Sequence, residues 1–215
     1  MQILKISLST IALTLGTLFT SQAQMTQSVQ EKGTFEVGFG TGVSFAQLST
    51  EDDATDAVTS YNVAMVAEYY FSDRWGIKSK WIFDRKGWGN GFLEDEVNNV
   101  VYENVDFHLN YFTIPVMANW HFSPNRNWYL NFGPYFGFLM SATDNELEMN
   151  HTEAFNDFDF GLAYGIGYKV HLSDELEFYI EYDAQDGFTN IFKDNSNLSA
   201  KNSRGSFNVG LLFKV

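Results

Sequence analysis

The feature that most constrains the fold is a two-residue alternation of bulky apolar side chains that recurs along the chain. Trp128, Leu130 and Phe132, for example, alternate with Tyr129 and Asn131. An alternation of period two is typical of β-strands, whereas helices repeat their apolar residues every three or four positions. The pattern covers the segments 35–45, 61–71, 75–83, 111–122, 128–140, 157–169, 176–183 and 207–215. The sequence therefore predicts an all-β protein with eight strands.

The two faces of each predicted strand differ in polarity. One face carries most of the phenylalanine, tryptophan and leucine, and the other carries glycine, small polar residues and charge. Eight strands enclose an interior that is barely wide enough for its own side chains, so the bulky face must point outward. An apolar outer face needs lipid around it. We therefore predict an eight-stranded antiparallel up-and-down transmembrane β-barrel.

The predicted connections alternate in length. Segments 72–74, 123–127 and 173–175 are short and rich in turn-forming residues. Segments 47–57, 87–104, 143–155 and 192–203 are longer. Short periplasmic turns and long outer loops are the arrangement of outer-membrane barrels. Trp75 and Trp128 directly follow short turns, and we expect an interfacial girdle of aromatic residues there.

Charged residues on the inward face form the main candidate site. In hydrocarbon, each lysine near the midplane would cost up to ~2–4 kcal/mol, whereas inside the barrel these groups can pair with one another. We expect a structural plug of ion pairs, with a small water-filled pore as the alternative. The predicted lumenal charge cluster consists of Glu36, Glu68, Lys78, Lys80, Asp84, Lys169, Glu181 and Lys214.

The first 23 residues have the organisation of a signal peptide. A lysine at position 5 precedes an uncharged apolar stretch, and small residues at positions 21 and 23 suit a signal peptidase. We predict cleavage between Ala23 and Gln24, which divides the chain into a signal peptide, 1–23, and an outer-membrane β-barrel domain, 24–215. The alternative is a membrane anchor, but the apolar stretch is shorter than the ~20 residues that a helical span needs.

Composition excludes several kinds of site. The net charge of −14 argues against nucleic acid as a partner, because phosphate binding needs a basic surface. The absence of cysteine excludes disulfides, thiolate metal sites and a cysteine nucleophile. The repeat Gly38, Gly40, Gly42 is not a phosphate-binding loop, since no helix is predicted to follow it. We therefore expect no cofactor, and partners that are cations, lipid or protein.

Several segments resemble one protein family. Segment 111–120, YFTIPVMANW, is similar to the fourth strand of the PorT-like outer membrane β-barrel family of Bacteroidetes, and segments 131–137, 158–168 and 187–191 resemble later strands of that family. The resemblance implies a location in the bacterial outer membrane and insertion by the barrel-assembly machinery. It also implies a role in secretion or envelope assembly.

Three functions remain open from the sequence. The first and preferred one is a non-enzymatic structural or interaction barrel, in which long acidic loops, helped by Trp88, Phe92 and Tyr102, contact an envelope or extracellular protein. The second is a small channel. The third is an enzyme that modifies lipid A, which needs a nucleophile beside a histidine and a carboxylate. The residues available for that chemistry at the outer end are His108, Ser141, His151 and Glu153.

The acidic residues of the outer loops are a further candidate for cation binding. Divalent cations take several oxygen ligands, but no loop shows the regular spacing of a calcium-binding loop. The same carboxylates are equally compatible with a solvated surface. They are Glu51, Asp52, Asp53, Asp56, Glu94, Asp95, Glu96, Glu103, Asp144, Glu146, Glu148 and Glu153.

Overall fold

The strands form one closed antiparallel barrel. The computed structural model describes residues 31–50, 55–95, 100–147, 149–193 and 199–215. In this part of the chain, eight strands pair in sequence order and the first closes on the last. The strands are β1 Phe35–Ser49, β2 Val58–Tyr70, β3 Trp75–Asp95, β4 Val100–Phe122, β5 Trp128–Asp144, β6 Phe158–His171, β7 Leu176–Gly187 and β8 Lys201–Lys214. The predicted eight-stranded up-and-down barrel is thereby confirmed.

Short turns at one end of the barrel fix the hairpin registers. In the turn between β2 and β3, the Ser72 hydroxyl accepts a hydrogen bond from the backbone N–H of Trp75 at 3.0 Å. Between β6 and β7, the Ser173 hydroxyl accepts one from the N–H of Leu176 at 3.1 Å. Serine side chains replace backbone acceptors in such turns. The repeated Ser-Asp sequence therefore produces two similar tight turns at the same end.

The bulky face of the strands points outward and forms an apolar belt. Phe39, Phe83 and Phe132 expose 56%, 58% and 52% of their surface. At the end with the short turns, Trp75 stacks on Trp120 with ring centroids 6.1 Å apart. Trp128 contacts Tyr168 nearby, at 5.0 Å. These paired rings form the aromatic girdle at the height where we expected one.

The hairpin of β3 and β4 extends far beyond the belt. Sequence patterning predicts a loop over 87–104, but the strands continue there, with Leu93 paired to Tyr102. The period of two is interrupted by register shifts around Gly91 and by the positive φ of Asn90 and Asn104, 56° and 62°. Because bulges change which face a side chain occupies, the alternation that identifies a strand is lost. The loop prediction for this segment is therefore wrong.

In the described ranges, helical structure is limited to one short 3₁₀ turn, Thr152–Ala154, in the connection between β5 and β6. Among the residues that the structure describes, no helix is long and apolar enough to cross a membrane.

Candidate functional site

The centre of the lumen near the short turns is Lys169 on β6. Its ammonium group donates to Glu36 Oε2 at 2.5 Å and to Glu68 Oε2 at 3.0 Å. A third hydrogen bond reaches the hydroxyl of Tyr70 at 2.6 Å, and Glu177 Oε2 lies 3.6 Å away. The side chains of Lys169, Glu36, Glu68 and Glu177 are fully buried. One lysine is thus surrounded by three carboxylates from β1, β2 and β7.

Two histidines complete this end of the network. His121 Nε2 lies 2.8 Å from Glu68 Oε1, and His171 Nδ1 lies 2.7 Å from Glu177 Oε1. Lys214 approaches the same Glu177 oxygen at 3.7 Å and keeps 17% of its side chain exposed. Because His171 and Lys214 are partly exposed whereas Glu68 and Glu177 are not, the network opens to solvent only at its rim.

A second cluster occupies the middle of the lumen. Lys78 donates to Glu181 Oε2 at 2.5 Å, and Lys80 pairs with the other oxygen of Glu181. Lys80 also donates to Asp183 Oδ2 at 2.7 Å. The ammonium of Lys78 lies 4.3 Å from the centroid of the Tyr129 ring, where the π-face attracts a cation. Two lysines of β3 are therefore held by two carboxylates of β7 on the opposite wall.

The third cluster lies toward the long-loop end and is built around Arg204. Its guanidinium contacts Asp84 Oδ1 and Asp183 Oδ1, each at 2.8 Å. Beside it, Lys86 donates to Asp159 Oδ2 at 3.0 Å, and the Tyr135 hydroxyl donates to the same oxygen at 3.0 Å. Asp183 therefore joins the second and third clusters into a continuous network.

Tyrosines and glycines fill the space between the charges. A Cβ placed on Gly167 would lie 2.2 Å from the Tyr129 ring, and one on Gly210 would lie 2.5 Å from the Tyr179 ring. Such separations are too short for real carbon contacts, so only glycine leaves room for these rings. The glycines on the inward face therefore allow large rings to cross the lumen, which makes it a packed interior.

Apolar side chains cover the charged lumen at its long-loop end. Trp88 stacks on Phe107 with centroids 4.6 Å apart, and Phe155 contacts the edge of Trp88 at 6.0 Å. Val105 and Leu109 are fully buried in the same cluster. We call the cluster the outer cap; its buried members are Leu48, Trp88, Val105, Phe107, Leu109, Tyr111, Ala142, Phe155, Ile191 and Ala200. It separates the ion pairs from the solvent at the long-loop end of the barrel.

Asp144, at the outer end of β5, organises the start of the following loop. Its carboxylate accepts backbone N–H groups from Glu146 at 2.9 Å and Met149 at 3.0 Å, and His151 Nε2 lies 2.9 Å away. Burial alone would raise the pKa of Asp144, but these contacts and the backbone N–H of Leu147 outweigh it and lower the pKa. The ionised carboxylate thus replaces missing backbone partners at a strand end.

The structure places seven residues of the predicted lumenal charge cluster inside the barrel and leaves Lys214 at the rim. Five other charged side chains are buried in the lumen and are not members of the predicted cluster: Lys86, Asp159, Glu177, Asp183 and Arg204. Three of these, Asp159, Glu177 and Asp183, lie at inward-facing positions of the predicted strands, and Lys86 continues the inward-facing alternation of Asp84 beyond the predicted strand. Arg204 belongs to a part of β8 that precedes the predicted strand. The sequence feature that could identify it is that its position continues the inward-facing alternation of Asn208 and Ser206.

The outer-end candidates are only partly brought together. His151 pairs with Asp144, while the Ser141 hydroxyl accepts a hydrogen bond from Asn110 at 3.0 Å. In the described segments, no hydrogen bond joins Ser141 to His108 or His151. Trp88, which we expected to contact a partner, is 9% exposed and packs into the outer cap, whereas Phe92 is 71% exposed.

Some predicted positions lie outside the described residues. These are Ala23 and Gln24 at the predicted cleavage site and the acidic residues Glu51, Asp52, Asp53, Glu96 and Glu148. Within the described ranges, no three metal-ligating side chains form a group that could hold a metal ion.

Comparisons with known proteins give a consistent picture of the fold. The sequence profile of the family described as "Outer membrane protein beta-barrel domain" matches residues 22–193. OprG of Pseudomonas aeruginosa, an outer membrane protein, is similar in structure with a TM-score of 0.50 and 12% identity, covering 86% of this chain and 97% of that one. Ail of Yersinia pestis, the attachment invasion locus protein, gives a TM-score of 0.44 and 14% identity over 86% and 99% of the two chains. No curated protein matches the sequence significantly.

Proposed function

We propose, from the premise that this chain belongs to the outer membrane protein β-barrel domain family, that it is a non-enzymatic anchoring barrel that presents its outer end to a protein partner. The protein lies in the bacterial outer membrane, and its apolar belt contacts lipid. The proposal concerns what the barrel does in that membrane.

The observation that carries the proposal is the closed interior. Three clusters of ion pairs fill the lumen, the second and third are linked through Asp183, and the outer cap lies above them. A conducting pore needs a continuous water path, which this packing opposes. The packed lumen therefore supports a structural role for the predicted charge cluster.

The outer end offers a surface for contact with a partner. The extension of β3 and β4 exposes Phe92 at 71%, Val101 at 58% and Val100 at 42%. Exposed apolar groups beyond the membrane are costly in water unless a partner covers them. Ser141 accepts a hydrogen bond from Asn110, and among the residues described it forms none with a histidine, which supports a non-enzymatic role.

The finer parts of the proposal rest on the sequence. They are a PorT-like relationship, a role in secretion or envelope assembly, insertion by the barrel-assembly machinery, an envelope or extracellular protein partner and no nucleic-acid partner. We also propose that residues 1–23 are a signal peptide removed before Gln24, which leaves 24–215 as the barrel domain. N-terminal sequencing of the protein from outer membranes tests that cleavage directly.

Two measurements test the anchoring function. In planar bilayers, the purified protein is expected to give no conductance steps, and reproducible steps would contradict it. In living cells, a photo-crosslinking amino acid at Phe92 is expected to give one discrete protein adduct. The matched control is the same amino acid at Phe132 in the belt, which is expected to react with lipid alone. Equal protein adducts at both positions, or none at Phe92, would contradict an outer contact surface.

A further inference from the structure

One sector of the outer wall combines an apolar groove with a cation. The groove has a volume of about 800 Å³ and lies on the outward face of β1, β2, β3 and β8. Its floor is at Thr41, the smallest side chain of its row, between Val63 and Val209. Thr41 donates its hydroxyl to the carbonyl of Asn62 at 2.8 Å, so the floor has no unsatisfied donor. Phe39 and Trp81 form its walls.

A polar cavity adjoins this groove on its outer side. Its volume is about 560 Å³, and it shares Val63 and Phe83 with the groove. Arg85 lies on the same outward face two residues beyond Phe83, at the first polar position above the belt on β3. Tyr61, 78% exposed, is a neighbour on β2. The two cavities together form one continuous site with an apolar part and a polar part.

Asn110 orients the guanidinium of Arg85 and uses only one of its N–H donors. Its Nε donates to Asn110 Oδ1 at 3.1 Å, which uses one of the five N–H donors of a guanidinium. Within the described ranges, Arg85 forms no ion pair with a carboxylate, whereas Lys193, another outer cation, pairs with Asp157 at 3.1 Å. An oriented guanidinium with two open terminal nitrogens suits bidentate binding of phosphate oxygens.

On β7, across the barrel from Arg85 on β3, the outer polar boundary carries a carboxylate. There Asp186 on β7 accepts the Tyr164 hydroxyl at 2.8 Å and the Ser203 hydroxyl at 2.9 Å. These residues line an outward cavity of about 530 Å³, which extends to Phe45 on β1 and is also lined by Arg204, whose guanidinium is paired with Asp84 and Asp183. A carboxylate repels an anionic headgroup, so the barrel is asymmetric toward charged lipids at this depth.

From this arrangement we propose a specific site for one phosphate-bearing lipid of the outer leaflet. The acyl chains occupy the groove at Thr41, and the phosphate binds Arg85 at its outer edge. The volume of each cavity is within the ~300–1,000 Å³ range of ligand sites. The inference deepens the proposed function and rests on it, because it names a lipid that would fix the anchored barrel in the outer leaflet.

Native mass spectrometry of the full barrel in mild detergent tests the site. The probes are dipalmitoyl phosphatidic acid, dipalmitoylglycerol with the same chains but no phosphate, and inorganic phosphate. Phosphatidic acid is expected to bind ~10-fold more tightly than dipalmitoylglycerol, from a charge-assisted contact to phosphate. Inorganic phosphate alone is expected to give no adduct. Equal binding of the two lipids, or an adduct with inorganic phosphate of similar strength, would overturn the proposal.

Variants locate the site. Arg85→Gln is expected to remove the ~10-fold preference for phosphatidic acid, and Arg85→Lys to retain part of it. Lys201→Gln, the same charge change at another outer position, is expected to leave the preference intact. Thr41→Trp fills the groove and is expected to weaken both lipids, while Leu162→Trp on the opposite wall is not. The proposed site would be overturned if Lys201→Gln reduced the preference for phosphatidic acid as much as Arg85→Gln. It would also be overturned if Thr41→Trp left the binding of both lipids unchanged.

Heat-modifiable migration on a gel, together with the conductance measurement, distinguishes failure of the lipid site from failure of the anchoring function. Every variant is expected to migrate as a folded barrel before boiling. If folded variants fail the lipid tests, the lipid site is wrong and the anchoring function stands. Conductance steps in the unaltered protein would instead remove the anchoring function.

Discussion

Lys169 is the residue on which the ion-pair network near the short turns depends most. Its ammonium contacts Glu36 and Glu68 at 2.5 and 3.0 Å, and all three side chains are fully buried. Removing one partner of a buried ion pair leaves an uncompensated charge, which costs more than the pair itself contributes. Here a single change would leave two carboxylates without their principal cation.

We therefore predict that Lys169→Met lowers the free energy of unfolding by ~3–5 kcal/mol. Urea unfolding of the barrel in lipid vesicles measures the change. The control is Lys193→Met, since that ion pair with Asp157 is largely exposed and such pairs contribute only ~0–1 kcal/mol. If Lys169→Met were no more destabilised than Lys193→Met, the network would not be a structural plug.

The stability of the loop after β5 is expected to depend on pH through Asp144, and the contacts of its carboxylate determine the direction of that dependence. The folded loop lowers the pKa of this carboxyl below its usual value, so the ionised form stabilises the loop. That contribution is fully present above the unfolded-state pKa of ~3.9 and is lost as the pH falls through the folded-state pKa. The effect concerns the loop after β5 and leaves the barrel paired.

Hydrogen exchange of the amides of Glu146 and Met149 tests this prediction. Their protection is expected to decrease below about pH 4, and Asp144→Asn is expected to lower it already at neutral pH. Glu153→Asn, on the exposed 3₁₀ turn nearby, is the control. Protection that is independent of pH in the unaltered protein would contradict the assigned role of Asp144.

For single residues, the sequence predicts the face of the strand on which a side chain lies, but it does not predict the residue that the side chain contacts. The alternation assigns Lys78 and Glu181 to inward faces because their neighbours in sequence are apolar. Their 2.5 Å contact joins β3 to β7 across the lumen, and nothing in either segment records which opposite strand it faces. Contacts across a closed barrel depend on strand stagger, which local sequence does not contain.

Among the elements, the β3–β4 hairpin differs most from its predicted form. Inside the membrane, lipid imposes a strict alternation on each strand, because one face must be apolar. Beyond the belt this requirement ends, and Gly91 and the positive φ of Asn90 interrupt the register. The hairpin is held instead by Trp88, which turns inward to stack on Phe107 at 4.6 Å.

Trp88→Ala is predicted to loosen the hairpin and leave the barrel intact. Removing a buried tryptophan costs ~3–5 kcal/mol when the cavity does not collapse, and here the loss falls on the outer cap. Hydrogen exchange of Leu93 and Tyr102 is expected to accelerate, while the amides of Phe132 and Ile166 stay protected. Phe92→Ala, which removes an exposed ring from the same hairpin, is the control. Uniform acceleration over all strands would show that cap and barrel unfold together.

At the scale of the whole molecule, the difference in side-chain size and polarity between the two faces of each strand determines the architecture. Eight strands with a bulky face must turn it outward because the interior is too narrow, and the charges then have only the lumen in which to pair. The alternation predicts the number of strands, and the difference between the faces predicts closure and a membrane location, without any knowledge of the loops. It could not predict the outer cap, since Phe155 and Ile191 come from connections that carry no periodic signal.

The most direct test of this central claim uses the absence of cysteine from the chain. Near-isosteric single cysteines are introduced at three lumenal and three lipid-facing positions, and the protein in lipid vesicles is treated with a membrane-permeant methanethiosulfonate spin label. The lumenal substitutions are Ser44→Cys, Thr113→Cys and Ser206→Cys, and the lipid-facing ones are Thr41→Cys, Ser79→Cys and Ala118→Cys. We predict that the lipid-facing cysteines react and that their labels collide with oxygen more than with a water-soluble nickel complex, while the lumenal cysteines react only after unfolding. Rapid labelling of the three lumenal positions in the folded protein, or nickel-accessible labels at the lipid-facing ones, would contradict the account.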